Sequence, residues 1–171
     1  MAVKRATNLP KEKRRQEDFF MKPFHFQAST PVTTTPEALF AFHENPRNIS
    51  LIAPPSLRLH EVACDERAVQ GGTFRIRASQ FGLPIDWTGK WEKASPPGLL
   101  VDTAVQSPFA IWRHSHIFES HPRGALLTDS VDYLLKGGLA GSLASRLVLP
   151  LVLGVIFRAR HAATRRYFEG Q

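Results

Sequence analysis

At 171 residues the chain is long enough for one domain that buries its own core, and the single Cys64 excludes an internal disulfide. The net charge of +7 sits at the two ends: residues 1 to 22 carry seven Lys/Arg against three Asp/Glu, and residues 141 to 171 carry five Arg against Glu169, which is +4 and +4 and leaves −1 between them. This distribution argues against specific nucleic-acid binding by the middle of the chain; no signal-like apolar run follows the charged N-terminus, and Leu147 to Phe157, the longest apolar run, is broken by Pro150 and Gly154 and is too short to span a bilayer.

Residues 1–21 read as a flexible basic tail that could make transient contact with an anionic membrane surface, with Met21 an alternative start. The domain is expected over 22–169. Phe24, Phe26 and Ala28 alternate with His25, Gln27 and Ser29 as a first strand, His25 being an exposed residue of no special role. Thr35-Pro36-Glu37 opens a short helix with a hydroxyl cap, a proline in the first turn and an acid where the helix dipole favours it. Asn45 ends that helix with Pro46 and caps a second, which stops before Pro54-Pro55.

Strands follow at short spacing: Leu57 to Ala63, Thr73 to Ser79, and Ile85 to Lys93 after a turn at Gly82-Leu83-Pro84. Trp87, Gly89 and Trp91 then pair with Ala78, Ile76 and Phe74. Val101, Thr103 and Val105 form one face of the next strand. Ser107-Pro108 turns it into Ala110 to Phe118, with Thr103 opposite Trp112 and Val101 opposite His114. Pro122-Arg123 folds this strand onto Leu127 to Tyr133, setting His116 opposite Asp129, His114 opposite Val131 and Trp112 opposite Tyr133. With these parities Phe74, Ile76, Trp87, Trp91, Val101, Trp112, His114, His116, Asp129 and Tyr133 face one side of an antiparallel sheet. Gly137-Gly138 ends the last strand, and Leu139 to about Phe168 reads as a single helix of about 30 residues and 45 Å, kinked at Pro150. Leu143, Leu147, Leu151, Val155 and Phe157 recur on it at helical spacing, so Leu147 and Leu151 are expected to pack on the tryptophan face. Arg75, Arg77 and Arg113 fall on the opposite, solvated face.

The order of one strand, two short helices, six strands and a long C-terminal helix is similar to the START-like, helix-grip superfamily (SRPBCC) of polyketide cyclases/dehydrases and lipid-transfer-like carriers. Gly82-Leu83-Pro84-Ile85-Asp86-Trp87, Pro96-Pro97, Pro108-Phe109-x-x-Trp112-x-His114-x-His116-x-Phe118, Thr128-Asp129-x-Val131-x-Tyr133 and the Arg-rich final helix resemble a bacterial branch of it. Ser107 and Lys136 depart from that pattern, which has glycine and proline there. The resemblance implies an α+β fold in which a seven-stranded antiparallel sheet, two short helices and one long C-terminal helix enclose a mostly apolar cavity. It further implies binding or transport of a hydrophobic small molecule (lipid, polyketide or quinone-like), or else a cyclase/dehydratase-type enzyme using the same pocket. The ligand-binding residues are then Phe74, Ile76, Trp87, Trp91, Val101, Trp112, His114, His116, Tyr133, Leu147 and Leu151. An interaction module acting through the basic ends is a third class of reading. A cytoplasmic location is expected.

His114-Ser115-His116 places two imidazoles on one strand face, which invites a metal. A cupin-like site needs a further Glu and His at set spacings; Glu119 follows too closely and the second motif is missing, while Asp129 and His161 lack a supporting spacing. No metal and no cofactor are therefore assigned, and no phosphate loop, nucleophile elbow or dinucleotide fingerprint occurs. His116 with Asp129 is either a general base, the carboxylate raising the imidazole pKa and orienting the ring, or a structural pair that satisfies a buried charge.

Overall fold

Strand periodicity dominates the computed structural model, which describes residues 22–65 and 67–170. The expected basic tail at 1–21 lies outside the described residues. Seven strands, β1 (Phe24–Val32), β2 (Leu57–Cys64), β3 (Thr73–Gln80), β4 (Leu83–Ser95), β5 (Leu99–Gln106), β6 (Phe109–His121) and β7 (Gly124–Leu135), form one antiparallel sheet in the order β1-β7-β6-β5-β4-β3-β2. Every neighbour from β2 to β7 is reached by a hairpin, and β1 closes the far edge against β7. Between β1 and β2 lie helix α1 (Pro36–His43), a single 3-10 turn (Pro46–Asn48) and helix α2 (Ile49–Ile52). The Thr35 hydroxyl accepts from Ala38 N and the Asn45 side chain from Arg47 N, so both expected caps form.

The inner face of the sheet carries the core. Val32, Leu39, Phe40, Phe74, Trp91, Leu100, Phe118 and Leu127 form one buried cluster beneath α1, and Val131, Tyr133, Leu153 and Phe157 form another beneath the C-terminal helix. On the outer face Arg75 pairs with Asp86, Arg77 with Glu61 and Arg113 with Glu92. These are exposed pairs that solvent screens, and they add little to stability.

Two registers differ from expectation. The β3–β4 turn is Phe81-Gly82, both with positive φ (51° and 81°), the two-residue type that suits sheet twist. Trp87 therefore pairs with Ile76 and Gly89 with Phe74, two residues away from the expected register; an even shift leaves every side chain on its face. A Cβ on Gly89 would run into the Phe74 ring, so the bare backbone there lets that ring lie flat across β4. The second shift is odd. β6 contains an extra residue between Phe109 and Ile111, and Val101 pairs with Ser115, Asp102 with His114 and Thr103 with Arg113. One residue of slip exchanges the faces of β5, so Asp102 replaces Val101 on the inner face.

The C-terminal helix is two helices, α3 (Gly138–Leu147) and α4 (Leu149–Glu169), whose axes differ by 51° across Val148. Pro150 lies in the first turn of α4, where its missing N–H is tolerated, so the expected kink is a break. The leucine spacing misleads about the buried face. Leu147 and Leu151 are 59% and 73% exposed, and Leu143 and Val155 also face outward. What α3 buries is Gly141, Ser142 and Ser145, small enough for close approach to β7, where Leu135 N donates to Ser145 Oγ at 2.8 Å. What α4 buries is Leu153, Phe157, His161 and Thr164. Among the described residues no single helix is long and apolar enough to cross a membrane.

Candidate functional site

The β6–β7 hairpin has the expected register, His116 opposite Asp129 and His114 opposite Val131. Because His114 and His116 share a face, both rings reach the one carboxylate. His114 Nε2 lies 2.9 Å from Asp129 Oδ1, and His116 Nδ1 lies 2.7 Å from the same oxygen. The latter approach is too oblique for a full hydrogen bond, which leaves His116 Nδ1 buried without an aligned partner. From α4, His161 Nε2 reaches Asp129 Oδ2 at 2.7 Å. Asp129 is 2% exposed and is thus a buried carboxylate ringed by three imidazoles, two from β6 and one from α4.

Asp102 completes the group from the other side. Its Oδ2 stands 3.5 Å from His114 Nδ1 and 3.7 Å from His116 Nε2, both beyond hydrogen-bond length. The two rings therefore lie between two carboxylates, with centroids 4.0 Å apart. His43, in the last turn of α1, lies with its ring tilted 46° to that of His116 at a centroid distance of 5.3 Å, and its Nδ1 meets the Leu39 carbonyl at 2.8 Å.

The electrostatics follow from burial set against these partners. Burial alone would raise the Asp129 carboxyl, yet the hydrogen bonds to His114 and His161 and the close His116 ring hold it well below the usual carboxylate range. Burial lowers His114, and the neighbouring His116 lowers it further. His116 is raised, because Asp102 and Asp129 together outweigh its desolvation. His43 is lowered to about 3 by burial and by His116, so it is neutral at physiological pH.

His43, Asp102, His114 and His116 form one polar wall of a partly open cavity of about 230 Å³ between the sheet, the α1–α2 segment and α4. The remaining wall is mostly apolar: Phe42, Ile49, Ile52, Leu57, Phe74, Ile76, Ala78, Ile85, Trp87, Trp91 and Trp112, with Gln80, Asn45, Asn48 and Arg160 as further polar groups. Trp87 and Trp112 meet edge to face, with centroids 5.1 Å apart, and Phe109 packs 4.7 Å from Trp112 behind them.

Of the residues read from sequence as ligand-binding, Phe74, Ile76, Trp87, Trp91, Trp112, His114 and His116 line the cavity. Four do not. Val101 is on the outer-face register for the reason given above, and Leu147 and Leu151 point to solvent. Tyr133 faces inward opposite Trp112 but is packed with Phe157 and Leu153 under α4. Sequence reasoning missed Asp102 and His43, and found His161 without a partner. For Asp102 the missed signal was the buried-type pattern of Leu100 and Asp102, overshadowed by the β-branched Val101, Thr103 and Val105. Lys136 and Ser107 touch each other: Lys136 Nζ donates to the Ser107 carbonyl at 2.6 Å, tying the β5–β6 turn to the end of β7.

With this geometry the chain was compared with known proteins. No family model and no curated protein matches the sequence. Solved structures do. The aromatase/cyclase ZhuI from Streptomyces sp. R1128 superposes with a TM-score of 0.71 at 14% identity, over 86% of this chain and 94% of that one. Protein CV1439 from Chromobacterium violaceum gives 0.68 at 12% identity, over 85% and 96%. The di-domain aromatase/cyclase StfQ of the steffimycin biosynthetic pathway gives 0.70 at 14% identity, over 93% of this chain and 54% of that one. The chain has the helix-grip fold. In helix-grip terms α3 and α4 are the gripped helix, broken once, and the His/Asp cluster lies where α4 crosses β6 and β7. At such identities the likeness extends to the fold alone.

Proposed function

We propose that this helix-grip protein binds or transports one apolar, ring-bearing small molecule in the cavity. The observation that carries this reading is the wall itself: Trp87, Trp91 and Trp112 with Phe74 and Ile76 on the sheet, closed by Ile49 and Ile52 from α2, around a single titratable end. The volume of about 230 Å³ lies just below the range of about 300–1,000 Å³ common for drug-sized ligands. It suits one or two fused rings, a polyketide or quinone-like fragment, better than a full acyl chain. Native mass spectrometry of protein purified from its own host tests the reading through a co-purifying apolar species. A thermal-shift panel of bicyclic aromatics and fatty acids is the second arm. No bound species together with no shift from any aromatic member would contradict it.

A second reading, catalysis of a cyclase or dehydratase type, is favoured by one observation: His116 is held between two carboxylates at the cavity wall, with its pKa raised. Such an imidazole can take and return a proton beside a bound carbonyl or enol. The names of ZhuI and StfQ agree with that chemistry. With any substrate that turns over, His116→Gln would keep binding and remove turnover; unchanged turnover would assign the cluster to structure alone.

A further inference from the structure

We propose that Asp102, His114 and His116 form a binding site for one divalent first-row metal ion whose open coordination positions face the cavity. Their three ligating atoms lie within 4.8 Å of one another, on two adjacent strands of the sheet, and all three residues are buried in the cavity wall. Two imidazole nitrogens and one carboxylate oxygen are the donor set of catalytic zinc and of non-haem iron sites, which keep positions free for water or substrate.

Three features separate this group from an ordinary ion-pair cluster. The first is spacing. At 3.5 and 3.7 Å the contacts to Asp102 Oδ2 are too long for hydrogen bonds, whereas a tetrahedral ion with bonds of about 2.0–2.2 Å sets its ligands roughly 3.3–3.5 Å apart. The second is the far side of each ring. His114 Nε2 and His116 Nδ1 both turn to Asp129, and His161 holds the other oxygen of that carboxylate. A carboxylate behind a ligating imidazole is the usual outer support of a metal site, fixing tautomer and ring orientation. In the tautomers that carry both N–H groups on the Asp129 side, the lone pairs of His114 Nδ1 and His116 Nε2 face the Asp102 oxygen, and a cation between them would satisfy all three. The third is burial: at 5%, 4% and 6% exposure Asp102, His114 and His116 lie out of bulk solvent, where unpaired carboxylate and imidazole lone pairs are costly and one bound ion satisfies all three. This inference does not rest on the cavity's organic ligand, because cation binding is measured without one.

The test uses full-length protein without a histidine tag, stripped with a chelator and titrated with Co²⁺, followed by visible absorption, and with Zn²⁺, followed by calorimetry. One ion per chain is expected, with a rise in melting temperature for Zn²⁺ that Mg²⁺ and Ca²⁺ do not give. Asp102→Asn should weaken binding at least tenfold. A variant that replaces the exposed-side imidazoles, His25→Ala with His60→Ala and His121→Ala, should bind like the wild type. Imidazole NMR of the unsubstituted protein decides the matter even if Asp102→Asn does not fold, since Zn²⁺ should shift His114 and His116 and leave His25 in place. Absence of saturable binding at one ion per chain, undiminished affinity in folded Asp102→Asn, loss of binding in the surface variant, or shifts confined to surface histidines would overturn the proposal.

Discussion

Asp129 is the residue on which the site depends, because three buried imidazoles point their nitrogens at it. Removing one member of a buried charged network leaves the others uncompensated, at a typical cost of 3–5 kcal/mol. Asp129→Asn is therefore expected to lower unfolding free energy by about that amount in urea titration, while the apolar wall keeps its shape. A loss under about 1 kcal/mol would mean the three histidines are not held by this carboxylate. The histidines set the pH dependence. His43 and His114 are neutral in the fold and their pKa values are lowered, so the unfolded chain binds more protons than the native one as pH falls below about 6.5. Stability should decline from there toward pH 4.5. The raised pKa of His116 acts on the other side: its contribution is complete below about 6.5 and fades as pH climbs through its folded value. Thermal melts in chelator across pH 4.5–7.5 should show the acid-side decline, with a shallower slope for His43→Leu. An unchanged slope would place the acid sensitivity elsewhere.

Among the elements, α4 and β5 show what sequence periodicity can and cannot convey. Strand and helix positions, both caps and the inner face of β3, β4, β6 and β7 follow from alternation and turn chemistry, because each hairpin is local and the errors at Phe81-Gly82 were even. The face of β5 did not follow, since β5 pairs with β6 one residue away from the expected register, with Asp102 opposite His114, and an odd slip exchanges a strand's faces. On α4 the reason is different. The buried side must meet Asp129 and the packed strands, so it uses Phe157, His161 and Thr164, while the regular leucines lie outward. A pair of substitutions separates these faces. Phe157→Ala should cost about 3–5 kcal/mol in chemical denaturation, and Leu151→Ser should stay within about 0.5 kcal/mol of the wild type. The reverse ranking would return the leucine stripe to the core.

For the molecule as a whole, the architecture was legible from element order, whereas the site was legible only by halves. The tryptophans and His114, His116 and Asp129 came from one face of one hairpin pair; Asp102, His43 and His161 converge on them from β5, α1 and α4, and such convergence is a product of sheet curvature and helix placement that local pattern does not encode. The central claim is that the space between sheet and helices is a binding cavity. Ala78 is 3% exposed and lines it from β3, so Ala78→Phe would project a ring into that space. The most direct measurement is calorimetric titration with 2-naphthol of the wild type and of Ala78→Phe, each confirmed folded by circular dichroism. A Kd on the order of tens of micromolar is expected for the wild type, from about eleven heavy atoms at roughly 0.6 kcal/mol each, with at least a tenfold loss in the variant. Equal affinity in both proteins would place the aromatic probe outside the cavity and contradict the account.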